Sequence, residues 1–66
     1  MNFTQALTKL QNQKGMYRPS FPSGVYVFIP PNVQYIYNIF PTNIGNPALQ
    51  YSPSIADLTA TDWTEI

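Results

Sequence analysis

The chain has 66 residues, no cysteine, no histidine, and three basic against three acidic side chains. A domain of that size buries only about 60% of the surface its unfolded chain exposes. Without cysteine it has no disulfide or thiolate-metal staple, so support from partner subunits, as a homo-oligomer, is the physical expectation. Zero net charge excludes a general binder of DNA or RNA polymers, whose affinity comes from neutralising many phosphates, and leaves room for a compact ligand with one or two.

The charges are segregated, with Lys9, Lys14 and Arg18 near the start and Asp57, Asp62 and Glu65 near the end. That arrangement lets the two ends attract, within one subunit or between neighbours. Met1-Asn2-Phe3-Thr4 lacks the basic region and following apolar stretch of a secretory leader. No apolar run approaches the roughly 20 residues of a membrane span, so a soluble cytoplasmic protein without a membrane partner is expected.

Phe3, Ala6, Leu7 and Leu10 fall at i, i+3, i+4 and i+7, one apolar stripe of a short amphipathic helix. Asn2 followed by Gln5 resembles a capping box, which starts the helix at Phe3. Gly15 suits a left-handed position at the other end, after a fraying Asn12-Gln13-Lys14 turn. Met16 to Arg18 is a brief extended piece, and Pro19, Pro22 and Ser23-Gly24 mark a loop that turns back. Val25 to Ile29 is β-branched and aromatic throughout and reads as a strand ended by Pro30-Pro31.

Val33 to Phe40 is a second strand candidate, with Tyr35 and Tyr37 on one face and Ile36 opposite; Asn32 serves the reversal that makes the two runs a hairpin. The Asn-rich segment Pro41 to Pro47 is a loop, and Ala48 to Tyr51 a third strand. Pro53 breaks it, Ser54 is placed as an N-cap for a helical turn over Ile55 to Leu58, and Asp57 falls at its third position. Trp63 to Ile66 suits a closing strand at the sheet edge. The reading is one small α+β domain over residues 1–66, its N-terminal helix packed on a short antiparallel sheet.

Catalysis has little to work with. Without histidine or cysteine, no Ser-His or Cys-His pair and no zinc set built on those residues can form. Asp57, Asp62 and Glu65 are not spaced to share a magnesium ion, and Gly15, Gly24 and Gly45 are too scattered for a phosphate loop. No catalytic residue, metal site or cofactor is therefore expected, and the chain is read as a non-enzyme. Its aromatics (five Tyr, four Phe, one Trp) suit binding better, since aromatic faces stack on nucleobases and Arg18 can fork onto a phosphate. Tyr26, Phe28, Tyr35 and Tyr37 read first as core, and Trp63 as core or interface. Phe21 differs because it sits in a loop between two prolines.

Three stretches together resemble a known family: Met1-Asn2-Phe3 with Ala6-Leu7 and Leu10; Met16-Tyr17-Arg18 with Phe21; and Pro53-Ser54-x-x-Asp57-Leu58-x-Ala60-x-Asp62-Trp63. The chain is similar to the small phage-encoded anti-Thoeris sponge family of the second type. The family usually carries Arg-x-x-Trp where Arg18-Pro19-Ser20-Phe21 stands, and Trp where Tyr51 stands; both positions keep an aromatic face. This chain is also shorter, the missing part lying between residue 25 and Tyr51.

The resemblance implies a homo-oligomer acting in the host cytoplasm, with pockets at subunit contacts. It would sequester cyclic nucleotide immune signals without cleaving them, chiefly glycocyclic ADP-ribose isomers, and in some members cyclic oligonucleotides of the related CBASS defence. Under it, Phe21 and Tyr51 are expected to stack on base or ribose and Arg18 to meet phosphate. Ser54 and Asp57 either hydrogen-bond the ligand or only cap their helix. The competing expectation is a small oligomeric phage interaction module that inhibits a host protein directly. A cyclic-nucleotide phosphodiesterase is disfavoured by the residue inventory.

Overall fold

The computed structural model describes residues 1–41, 45 and 47–66. Helix α1 (Phe3–Gln11) begins at a complete capping box: the Gln5 N–H donates to Asn2 Oδ1 at 2.8 Å and the Asn2 N–H to Gln5 Oε1 at 2.9 Å. Its stripe buries Ala6 and Leu10 fully, with Phe3 and Leu7 packed partly against the same core. The far end corrects the expectation for Gly15. Gln13 takes the left-handed conformation, φ 66°, and its N–H reaches the Leu10 carbonyl while that of Lys14 reaches the Lys9 carbonyl. This is a Schellman closure made two residues early. Gly15 lies instead beside two side chains: a Cβ there would come 2.8 Å from Ile66 Cδ1, the movable end of an exposed side chain, and 3.3 Å from the Tyr26 ring.

Strands β1 (Met16–Tyr17), β2 (Tyr26–Phe28), β3 (Tyr37–Ile39), β4 (Ala48–Gln50) and β5 (Thr64–Glu65) form one antiparallel sheet in the order β4-β3-β2-β1-β5, and helix α2 (Ile55–Thr59) lies between β4 and β5 in sequence. The α+β class, the hairpin and the closing edge strand are as the residue pattern predicts.

The strands are shorter than predicted because turns take their ends. Val25 closes a turn onto the Pro22 carbonyl at 3.0 Å, with Gly24 at φ 83°, so β2 starts one residue later. Val33 closes another onto the Pro30 carbonyl at 3.2 Å, with Asn32 at φ 64° in the position where such turns need a left-handed residue. Tyr35 and Ile36 therefore precede β3, although the Tyr51 N–H to the Ile36 carbonyl, 2.8 Å, extends the pairing. Of the predicted loop, residues 42–44 and 46 lie outside the described residues.

Residues paired directly across an antiparallel sheet share a face. One row runs Met16, Val27, Asn38, Leu49. Met16 and Val27 are fully buried with Ala6, Leu10, Tyr51 and Trp63, whereas Leu49 is 48% exposed, so the core sits under α1 and thins toward β4. The opposite face carries Tyr26 beside Ile39 and Phe28 beside Tyr37, all half-buried and uncharged.

Candidate functional site

Two consecutive turns shape the loop between β1 and β2. The Phe21 N–H bonds the Arg18 carbonyl at 2.9 Å, with Pro19 pre-setting the corner, and the Pro22–Val25 turn follows at once. They curl the loop beside the end of the sheet and leave a cleft of about 520 Å³, within the range of small-molecule sites. Its walls include Tyr17, Arg18, Phe21, Tyr26 and Ile66. Phe21 is fixed edge-on against Trp63, centroids 5.7 Å apart at 88°, and Phe3 meets the same indole at 5.6 Å. Trp63, 2% exposed, is core.

Behind the cleft lies the chain's main polar cluster. Arg18 Nη1 donates to Asp57 Oδ1 at 2.8 Å and Arg18 Nε to Asp62 Oδ1 at 2.7 Å. The Tyr51 hydroxyl donates to Asp57 Oδ2 at 2.5 Å, the Asp57 N–H donates to Ser54 Oγ at 3.1 Å, and Trp63 Nε1 donates to the Asp57 carbonyl at 2.9 Å. Asp57 thus joins α2, the strand end at Tyr51, the core indole and the guanidinium. The N-cap expected of Ser54 is present.

Burial pushes the Asp57 carboxyl up, but the hydrogen bonds from Tyr51 and Arg18, with help from the Ser54 backbone, outweigh it and hold it below the usual carboxylate range. The Arg18 hydrogen bond does the same for Asp62. The two carboxylates raise the guanidinium, Asp62 more than Asp57. Burial first, and then its bond to Asp57, raises the Tyr51 phenol above its ordinary value.

Of the five residues singled out in the sequence, Arg18 and Phe21 meet at the cleft. Tyr51 is 9% exposed within the core, and Tyr51, Ser54 and Asp57 form a hydrogen-bonded chain behind Arg18 rather than the cleft's wall. Sequence reasoning missed Tyr17 and Tyr26 as cleft residues and Asp62 as an Arg18 partner. The segregated charges were the available signal for Asp62. The ends do attract: Lys9 also meets Glu65 at 3.2 Å. Among the described residues, no three acidic side chains gather where a metal ion would sit, and no helix is long and apolar enough to cross a membrane.

These features define a small α+β domain with an aromatic cleft whose lining includes Arg18. Compared with known families, residues 1–66 match the Thoeris anti-defense 2-like domain. The chain belongs to that family and is a phage anti-Thoeris protein. It matches no curated protein and no solved structure.

Proposed function

We propose that this protein disarms the defence by sequestration, binding a cyclic nucleotide immune signal of the glycocyclic ADP-ribose type in the host cytoplasm and holding it intact. The observation that carries the reading is the meeting of Arg18 and Phe21, with Tyr17 and Tyr26, around one cleft in a chain of the anti-defense family. A nucleotide needs an aromatic face for its base and a cationic donor for its phosphate, and the cleft offers both. Holding a scarce signal at nanomolar concentration takes about 12 kcal/mol of binding free energy and no chemical step. Cyclic oligonucleotides are further candidate ligands. The half-buried, uncharged sheet face bearing Phe28, Tyr37 and Ile39 supports assembly as a homo-oligomer.

A second reading, direct inhibition of a host protein, draws support from α2, where Ile55 is 80% and Leu58 48% exposed. One experiment separates the two. The protein is incubated with glycocyclic ADP-ribose and with cyclic oligonucleotides, washed, and heated to release what it holds. Recovery of unchanged nucleotide is expected. Altered nucleotide means an enzyme, and no retention of any of them sinks sequestration in favour of the interaction module.

A further inference from the structure

The sheet has two edge strands, β4 and β5, and they are finished differently. β5 carries Glu65, tied to Lys9 of α1 at 3.2 Å, and a charge on an edge guards it against pairing with another chain. β4 has no such guard. Ala48, Leu49 and Gln50 are all exposed, and no charged residue stands between Arg18 and Asp57 in the sequence.

Register decides which backbone groups of β4 are free. The Phe40 N–H bonds the Pro47 carbonyl and the Tyr51 N–H the Ile36 carbonyl, both at 2.8 Å, and Leu49 stands opposite Asn38. Bonding alternates along such a ladder, so the N–H and C=O of Leu49 turn inward to β3 and those of Ala48 and Gln50 turn outward. Among the described residues, these four outward groups have no hydrogen-bond partner.

We propose that β4 joins two copies of this chain, pairing antiparallel with its own counterpart so that Leu49 faces Leu49 across a two-fold axis. In that register Ala48 of each copy faces Gln50 of the other, and every outward group of both strands finds a partner. The edge is self-complementary, as a two-fold contact requires, and this is what points to a second copy as the occupant. Leu49 continues the core-face row of Met16, Val27 and Asn38 but is 48% exposed, and the second Leu49 covers it. Moving the axis to Gln50 sets Leu49 against Tyr51 instead, a ring that is already buried. No like charges meet on this uncharged strand. The pairing rests on the homo-oligomer reading above and not on what the cleft binds. β3 lies between it and the strands of the cleft residues Tyr17 and Tyr26, so both clefts stay clear.

The test is disulfide trapping, which a chain without cysteine suits. Facing residues of a pair that is not hydrogen-bonded have Cα atoms about 4.5 Å apart, within disulfide range. Leu49→Cys is therefore expected to oxidise to a covalent dimer, and Gln50→Cys, offset from its own copy by two positions, to stay reduced. Sedimentation of the native chain is expected to give an even number of subunits. Gln50→Pro removes one outward N–H per copy and leaves the bonds to β3 intact, so it is expected to weaken self-association about tenfold or more with far-UV circular dichroism unchanged. The trapping decides even where that variant misfolds. An oligomer trapped no better through Leu49→Cys than through Gln50→Cys overturns the pairing and leaves the homo-oligomer standing. A native chain that stays monomeric overturns both, while recovery of nucleotide by heating still decides sequestration.

Discussion

The Tyr51 hydroxyl donates to Asp57 Oδ2 at 2.5 Å, the shortest link between the end of the sheet and α2. The ring supplying it is a core residue, 9% exposed, and the bond itself is partly buried. Tyr51→Phe keeps the ring and deletes the bond. Hydrogen bonds to charged groups contribute roughly 1.5–3 kcal/mol, a large share of the stability of a domain this small. A drop of about 2 kcal/mol in urea unfolding is the expected result; a change below about 0.5 kcal/mol means that solvent already screens the pair.

The same cluster sets the pH range of the fold. Asp57 and Asp62 titrate below their unfolded values, so their contribution is present above about pH 4 and is lost as pH falls through the native values. The Tyr51 phenol titrates above its unfolded value, so its contribution is present below about pH 10 and is lost as pH rises through the native one. Thermal melts followed by circular dichroism are expected to show a plateau between these limits and a falling Tm on both sides. Tyr51→Phe is expected to lose the alkaline fall. An alkaline limb of undiminished size in that variant would falsify the assignment to Tyr51.

Gln13 closes α1 with φ 66°, a backbone state that disfavours a side chain. Glycine removes the clash at the cost of greater freedom in the unfolded chain. Gln13→Gly is expected to raise stability by about 1 kcal/mol, because the two closing hydrogen bonds are already formed. A lowered urea midpoint would show that Gln13 contributes through its own side chain.

Trp63 is the chain's one tryptophan and lies behind Phe21. Its 2% exposure predicts blue-shifted emission and little quenching by iodide in the native protein. Phe21→Ala opens the indole edge to solvent from the cleft side, so a red shift with increased quenching is expected while far-UV circular dichroism keeps its shape. Emission that stays blue and unquenched would mean that Trp63 is shielded by something other than Phe21.

Elements whose cause is local were legible in the sequence. The stripe Phe3-Ala6-Leu7-Leu10 and the Asn2–Gln5 box are complete within α1, and the Ser54 cap within α2. Strand ends were not, because Val25 and Val33 carry β-forming side chains yet spend their N–H groups closing turns. Gly15 was assigned a left-handed backbone role, whereas its φ is not positive and its close neighbours are the Tyr26 and Ile66 side chains, the second 51 positions later. The site was half legible for the same reason. Arg18 and Phe21 share one turn, whereas the pairing of Arg18 with carboxylates 39 and 44 positions away depends on β1 and β5 lying side by side.

That pairing of β1 with β5 has a kinetic meaning. Among the described residues, the buried core draws Ala6, Leu10 and Met16 from one end of the sequence and Tyr51 and Trp63 from the other, with Val27 between and Phe21, Ile29 and Ile36 packed partly against it. The N-terminal and C-terminal members of this core are separated by loops of dozens of residues. Such a topology folds slowly and in one cooperative step, since the entropy of closing the whole loop precedes any reward. On the ribosome the helix and first strands must wait, uncovered, until Trp63 has left the exit tunnel.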